Sequence, residues 1–306
     1  MKLQQLRYLC AVANQNLNLS KAAKGLHISQ PGISKQIQLL EDELGVEIFI
    51  RNGKRITSIT PPGQSIVEIA RKILREENNL KNVSQEFTNK DIGSLTVATT
   101  HTQARYALPQ TIREFTNRYP KIKLKIRQGN PIQISKLVTS GQADIAIATE
   151  AIEFFNELVM LPCYQWNRCI ITPPNHPLLS HEQVSLKSVV KYPIITYDFA
   201  FTGRSKINQA FEAENLTPNV VLTALDADVI KTYVELGLGI GIVAQMAFNP
   251  NRDKNLRSIE AGHLFEPSTT RIGIRKNSYL RSYIFDFIHM FSPQLSKNTV
   301  KKAMNK

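Results

Sequence analysis

The chain has 306 residues, of which 42% are hydrophobic, and it carries a formal net charge of +13. Its length and composition exclude a disordered chain and predict two or three folded units with buried cores. The positive charge favours a polyanionic partner such as DNA. The N-terminus is too polar for a signal-peptide core and no apolar run is long enough for a membrane helix, so we expect a cytoplasmic protein without membrane contact.

Residues 18–40 have the pattern of a helix-turn-helix. Ser20 can cap a first short helix, and Gly25 can end it in a left-handed conformation. Ser29 can cap the second helix, where Pro31 stands in the first turn and its missing N–H does no harm. Apolar residues at helical spacing then form one face of this second helix.

The opposite face of the second helix is polar and basic. Its side chains are Gln30, Ser34, Lys35 and Gln38. These groups suit base edges and phosphates, and the first 40 residues contain no acid at all. We therefore predict that this helix enters the major groove of DNA, although an amphipathic helical hairpin inside an ordinary core has a similar pattern.

Two short β segments follow and meet at Asn52-Gly53, the strongest short signal for a hairpin. The cations around this turn are Arg51, Lys54 and Arg55. We predict a winged helix-turn-helix over residues 1–60, whose wing holds phosphates beside the base-reading helix. A solvated hairpin tip is the alternative.

A long helix is predicted from Pro61 to about Asn89. Its apolar residues repeat with a period near 3.5, as in a coiled coil. This apolar seam consists of Ile66, Ile69, Ile73, Leu80, Val83 and Phe87. We interpret residues 61–90 as a linker and dimerisation helix, and packing of the seam on its own domain is the alternative.

From residue 91 to the end, strands alternate with helices, which predicts an α/β fold with helices on both faces of parallel sheets. The pattern divides into two lobes. Lobe I is expected over about 91–163 and 267–294, and lobe II over about 164–266. Two α/β lobes joined by crossing strands leave a cleft between them.

Three strand ends in this α/β region carry threonine. Small ligands in open α/β sheets bind beyond the carboxyl ends of strands, where the free N–H groups of helix N-termini attract anions. The residues at these ends are Thr100, His101, Thr102 and Gln103, then Thr149, and then Thr202. The first two segments contain no lysine or arginine, which favours a small anion or zwitterion held by dipoles. Helix capping is the alternative for any single threonine.

Catalytic motifs are missing from the sequence, since it has no G-x-S-x-G elbow, phosphate-binding glycine loop or zinc-deaminase signature. We expect no enzyme, no resident cofactor and no metal, and a ligand-binding role for His101. Cys163 and Cys169 have a spacing that matches no common zinc or thioredoxin pattern. A thiol-based redox sensor built on this pair remains an alternative function.

A winged helix-turn-helix, a linker helix and a two-lobed sensor together resemble the LysR-type transcriptional regulators over nearly the whole chain. Segments that carry the resemblance include MKLQQLRYL, SQPGISKQ, LEDELG, ATTHTQARYALP, ADIAIATEA, LVMLPCYQWNR, FTGRS, DADVIKTYVELGLG and LRSYIFDFI. THTQARYALP and DADVIKTYV are the most specific, and they resemble the members of this family that control sulfur assimilation. The resemblance implies a sensor of the periplasmic-binding-protein type II class.

The resemblance also implies a function. It implies an activator of sulfur-assimilation and cysteine-biosynthesis promoters that acts as a homotetramer, a dimer of dimers, with RNA polymerase as a partner. The implied effector is N-acetylserine, formed from O-acetylserine, opposed by sulfide or thiosulfate. The resemblance further implies sulfate between the lobes, at Thr100, Thr102, Gln103, Thr149 and Thr202, surrounded by His101, Tyr164 and Trp166.

Overall fold

The computed structural model describes residues 1–53, 55–149, 155–198 and 203–305. The chain divides into two compact units, Met1–Gln85 and Glu86–Lys306. Among the helices of the described residues, none combines the length and the apolar character that a bilayer-spanning helix requires.

The first unit has three helices, a two-stranded hairpin and the start of the long helix. The elements are α1 (Leu3–Asn14), α2 (Leu19–Gly25), α3 (Gln30–Leu44), β1 (Phe49–Asn52), β2 (Arg55–Ile59) and α4 (Pro61–Thr88). The apolar face of α3 is buried at Ile33, Ile37 and Leu40, whereas Leu44 is exposed. Gly45, with φ 67°, ends this helix in the left-handed conformation. The winged helix-turn-helix pattern of the sequence is therefore present.

Two details of the helix-turn-helix differ from the prediction. Asn18, not Ser20, caps α2, because the Asn18 Oδ1 atom accepts a hydrogen bond from the Lys21 amide at 2.9 Å. His27, not Gly25, takes the left-handed conformation in the turn, with φ 55°. Asparagine caps helices as well as serine does, so local sequence does not discriminate between the two positions. The cap at Ser29 is confirmed, since its hydroxyl accepts from the Gly32 amide at 3.3 Å.

The long helix α4 begins against the hairpin at Gly63. A Cβ atom at this position would lie 2.2 Å from the Ile48 carbonyl oxygen, so only glycine permits the approach. The apolar seam of α4 divides into two parts. Ile66 and Ile73 pack against the core of the first unit, as the alternative interpretation predicts. Leu80 and Phe87 remain 72% and 83% exposed.

The second unit is α/β. Its elements are β3 (Gly93–Thr99), a π-helical turn (Gln103–Ala107), α5 (Leu108–Arg118), β4 (Ile122–Gln128), α6 (Pro131–Thr139), β5 (Ile145–Ala148), β6 (Leu158–Trp166), β7 (Arg168–Thr172), α7 (Leu186–Val189), β8 (Ile194–Tyr197), α8 (Gly203–Ala213), β9 (Val220–Ala224), α9 (Ala227–Glu235), β10 (Ile240–Ala244), β11 (Arg257–Glu260), β12 (Ser268–Arg275), α10 (Ser282–Phe291) and α11 (Lys297–Met304). The sequence pattern does not predict α11, which buries Val300 but is otherwise mainly polar and basic.

These strands form two five-stranded sheets, in the orders β4-β3-β5-β12-β6 and β11-β7-β10-β8-β9. Each sheet has three parallel strands, as predicted, and two strands that add antiparallel pairing. The chain leaves the first sheet at Asn167, because β6 stays paired in that sheet as far as Trp166. This crossing lies three residues beyond the predicted one, and β12 brings the chain back.

A buried arginine joins the start of the first sheet to α10. Arg281, 2% exposed, donates hydrogen bonds to the carbonyl oxygens of Asn89 and Ile92 at 2.6 and 2.9 Å. Its guanidinium also lies over the Tyr283 ring, 4.8 Å from the centroid. A buried guanidinium is costly unless it is hydrogen-bonded, and these carbonyls supply charge-assisted partners for it. These hydrogen bonds fix the entry of the chain into β3.

Candidate functional site

The structure places the predicted DNA-reading residues on the solvent side of the helix-turn-helix. Gln30, Pro31, Lys35 and Gln38 are exposed on α3, Ser34 is half-buried there, and Ser20 and Ser29 are exposed on α2 and at the α3 cap. The Ser20 hydroxyl donates to the Gln30 amide oxygen at 3.5 Å, which links the two helices. The apolar face of α3 is buried, and its polar face is open to solvent. Contact of this polar face with DNA stays a prediction.

A buried carboxylate connects α3 to the hairpin. Glu41 is 6% exposed, and its Oε1 atom accepts hydrogen bonds from the Ile48 and Phe49 amides at 2.8 and 3.0 Å. Its Oε2 atom pairs with the Arg51 guanidinium at 2.6 Å. One carboxylate therefore fixes where the wing begins relative to the reading helix. No pattern in the sequence indicates this role of Glu41.

Two exposed cations of the first unit are already paired with an acid. Arg51 is engaged by Glu41, and Arg7 is paired with Glu77 of α4. Arg55 is exposed on β2 as predicted, while Lys54 lies outside the described residues. The wing thus offers Arg55 more freely than Arg51 to an external phosphate.

Two of the predicted ligand-binding strand ends are neighbours. β3 and β5 are parallel and hydrogen-bonded, with Thr99 opposite Ile147. Thr100 and Thr149, which follow these strands, consequently lie at the same carboxyl edge, where ligands of such sheets bind. Thr100 is half-buried and Thr149 is buried. The third predicted position, Thr202, lies outside the described residues.

Three further predicted residues meet in one hydrogen-bond network. Gln103, 1% exposed on the π-helical turn, accepts a hydrogen bond at Oε1 from the Tyr164 hydroxyl at 2.6 Å. Its Nε2 atom donates to the Thr270 hydroxyl oxygen at 3.1 Å, and the Trp166 indole N–H donates to the same oxygen at 3.1 Å. Single π-helical turns often occur at functional sites. No signal in the sequence indicates Thr270.

Thr102 is a hydrogen-bond partner of Tyr197, which belongs to the second sheet. The buried Tyr197 hydroxyl, at the end of β8, accepts a hydrogen bond from the Ala244 amide at 3.3 Å. Burial raises the pKa of Tyr197 to about 12, against the opposing effect of hydrogen bonds from Ala244 and Thr102. This tyrosine therefore keeps its proton at neutral pH and remains a neutral hydroxyl beside Thr102.

Charged groups of both lobes converge on Asp228, at the start of α9. Its carboxylate binds Arg105 at 2.6 Å, accepts from the Tyr106 hydroxyl at 2.7 Å and meets Lys231 at 3.3 Å, and His101 lies 3.8 Å away. Burial alone would raise the pKa of Asp228, but the hydrogen bonds from Tyr106 and Lys231 and the nearby cations lower it. His101 thus lies beside an ion pair between Arg105 of one lobe and Asp228 of the other.

The same region contains a possible metal-ligand set. Atoms of His101, Asp226 and Asp228 lie within 4.8 Å of one another. Asp228 is already neutralised by cations, and an Asp226 oxygen caps α9 through the Val229 amide at 2.9 Å. Both carboxylates therefore already have partners that would compete with a metal ion.

The cysteine pair does not resemble a redox centre. Cys163 and Cys169 are 7% and 0% exposed, and they lie on β6 and β7, in different sheets. Burial raises the pKa of each thiol to about 11. Reactive cysteines are accessible and have a lowered pKa, so these thiols have the opposite properties.

Comparison with known families identifies both units. Residues 3–64 match the family described as "Bacterial regulatory helix-turn-helix protein, lysR family", and residues 88–296 match "LysR substrate binding domain". The chain belongs to the LysR family. It is a transcriptional regulator, with a helix-turn-helix for DNA and a second domain for a small-molecule effector.

Individual relatives of this LysR-type regulator are similar over almost their whole length. It is 52% identical to the HTH-type transcriptional regulator CysB of Burkholderia cenocepacia over 304 residues, which cover 99% of this chain and 97% of that protein. Identity is 50% with CysB of Haemophilus influenzae, over 99% and 94% of the two chains. Identity is 41% with cbl of Escherichia coli, over 99% and 96%.

Solved structures agree with this assignment. The cofactor-binding domain of the Cbl transcriptional regulator superposes with a TM-score of 0.68 at 40% identity, covering 72% of this chain and 96% of that chain. A full-length OxyR variant from Pseudomonas aeruginosa gives a TM-score of 0.72 at 22% identity, covering 96% and 94%. The second likeness concerns the fold alone.

Replacing Glu41 with alanine should destabilise the first unit. The substitution leaves two buried amides without an acceptor and frees Arg51, which should lower the free energy of unfolding by roughly 2–3 kcal/mol. Asp42→Ala, at the exposed neighbouring position, is the matched control. Denaturant titrations of both variants give the comparison, and equal stability would show that the carboxylate does not hold the wing.

The native thiols should react slowly with Ellman's reagent. A pKa of about 11 leaves so little thiolate at pH 7.5 that Cys163 and Cys169 should react roughly 300-fold more slowly than free cysteine. Their rate should keep rising with pH beyond 9, where that of free cysteine levels off. Ser140→Cys, at an exposed position, is the reactive control. A Cys163–Cys169 disulfide after mild peroxide treatment would favour the redox alternative instead.

Proposed function

We propose that this regulator activates genes of sulfur assimilation and cysteine biosynthesis, and that it acts in the cytoplasm, where promoter DNA and metabolites are both accessible. The observation that carries the proposal is the identity of 50% or more with two CysB regulators over 99% of the chain. Similarity over both domains, rather than over the helix-turn-helix alone, favours a shared class of effector as well as a shared way of binding DNA.

The proposed effector is N-acetylserine, formed from O-acetylserine, with sulfate, thiosulfate or sulfide as antagonists. Sulfate would be held by Thr100, Thr102, Gln103, Thr149 and Thr202, with His101, Tyr164 and Trp166 around it. Hydroxyl and amide donors dominate the described part of this set. Arg105, beside it in the chain, is engaged by Asp228. Oriented neutral dipoles can stabilise a desolvated anion without a counter-charge.

The proposed mechanism couples the cleft to DNA. A ligand that contacts both lobes favours one lobe arrangement to the extent of its differential affinity for the two arrangements. We propose that paired linker helices carry this change to paired DNA-binding units in a dimer of dimers, which then engages RNA polymerase. The exposed Leu80 and Phe87 on α4 support helix pairing, because isolated apolar side chains at coiled-coil spacing gain from a partner helix.

Footprinting of a sulfur-assimilation promoter tests the regulatory proposal. The parent protein should protect the promoter, and N-acetylserine should change the protected boundaries. Lys35→Glu should abolish protection, because it places a negative charge on the reading helix against phosphates. Lys136→Glu, the same charge reversal on the exposed side of α6, is the control and should protect normally.

Two further results would contradict this proposal. Protection by the Lys35→Glu variant would show that α3 is not the reader. Conversion of N-acetylserine during long incubation would indicate an enzyme, whereas a regulator returns its effector unchanged.

Calorimetry with sulfate tests the ligand site. Thr100→Ala should weaken sulfate binding by about 1–3 kcal/mol, the cost of losing one buried hydrogen bond to a charged group. Thr116→Ala removes an exposed hydroxyl of α5, which bonds only to carbonyls of its own helix, and should leave the affinity unchanged. Equal affinity of the parent and Thr100→Ala would place the anion elsewhere.

A further inference from the structure

We infer that Thr270 is a positioning residue for the anion site, because its hydroxyl oxygen holds the Gln103 amide nitrogen and the Trp166 indole at the same time. The inference rests on the proposed function, in which Gln103 donates to the anion. It adds a residue outside the proposed binding set. Thr270 touches the ligand-binding side chain rather than the ligand.

The strand pairing explains how Thr270 reaches both donors. β6 and β12 are antiparallel, and Thr270 stands opposite Tyr164. Opposite residues of a pair project on the same face of the sheet, and Trp166 is the diagonal neighbour two residues along. The register shifts immediately after Thr270. Such bulges commonly re-aim a side chain beside a functional site, and this one shifts the register of the ladder next to Thr270.

Hydrogen-bond chemistry makes Thr270 hard to replace. An indole N–H can only donate, so its bond to Thr270 uses that oxygen as an acceptor. A hydroxyl oxygen has two lone pairs, and the Gln103 amide nitrogen takes the second. Thr270 is completely buried, so water does not readily substitute for its hydroxyl. One oxygen therefore satisfies two donors, one on the buried Gln103 and one on the half-buried Trp166.

The side-chain amide of Gln103 is therefore held in one orientation. Its oxygen is occupied by the Tyr164 hydroxyl and its nitrogen by Thr270. The hydrogen bonds among the described residues use one of the two Nε2 protons of Gln103. In the proposed site, the other proton is donated to an acceptor-only ligand such as a sulfate oxygen. A donor fixed before the ligand arrives costs less ordering entropy on binding.

The chain also contains its own reporter of this arrangement. Trp166 is the single tryptophan of the sequence. Its indole shares the Thr270 oxygen with Gln103, so loss of that oxygen changes the tryptophan environment and the amide orientation together. Intrinsic fluorescence therefore reads the network directly, with no added probe.

The test compares three variants of the full chain. Thr270→Val keeps the shape but removes the hydroxyl, and Thr270→Ser restores the hydroxyl without the methyl group. Thr172→Val is the matched control, because Thr172 is equally buried on β7 but its hydroxyl donates to the carbonyl of the next residue. Sulfate affinity is measured by calorimetry and Trp166 emission by fluorescence. Thr270→Ala replaces the valine variant if that chain does not fold.

Thr270→Val should bind sulfate roughly tenfold more weakly, in line with the loss of one buried hydrogen bond, and should emit at shorter wavelength. Thr270→Ser should restore both properties, and Thr172→Val should keep the parent affinity even if its stability falls. Parent-like affinity in Thr270→Val, or no rescue by serine, would overturn the positioning role alone. A parent chain that binds no sulfate would overturn the proposed anion site and this inference together.

Discussion

The second unit depends on one constraint, the antiparallel pairing of β6 with β12. This pairing keeps the chain in the first sheet until it crosses to the second sheet. β6 stays paired with β12 as far as Trp166, and after Asn167 the chain is already in the second sheet. Asn167 is the single residue between the end of β6 and the start of β7. Relative movement of the lobes must therefore be absorbed at two places, one beside Trp166 and the polar network of the cleft, and the other in the segment between β11 and β12.

In the first unit, one buried carboxylate likewise connects several elements. Glu41 satisfies two amides at the start of the wing and one guanidinium of its first strand. A buried carboxylate is costly unless it is fully paired, and here each partner comes from the hairpin. The reading helix and the wing are consequently fixed by the same group, while the helix surface stays free for an external partner.

Sequence periodicity was sufficient to predict most of the architecture, because amphipathic spacing and turn residues are local properties. The edge shared by Thr100 and Thr149 was also predictable, since parallel strands end on the same side. Thr270 was not predictable, because its role depends on a register shift between strands about 100 residues apart in the chain. The pairing of Arg51 also escaped prediction, because its carboxylate partner lies on another element, the helix α3.

The burial of the cysteines has a practical consequence. Cys10, Cys163 and Cys169 are all inaccessible, and burial raises the pKa of each thiol. Maleimide dyes attack thiolates, so the unmodified chain offers them almost no competing target. A fluorophore pair can therefore be attached at cysteines engineered into the surface of each sheet without first deleting the native ones. Lobe motion on effector binding then becomes a distance that energy transfer can follow in single molecules.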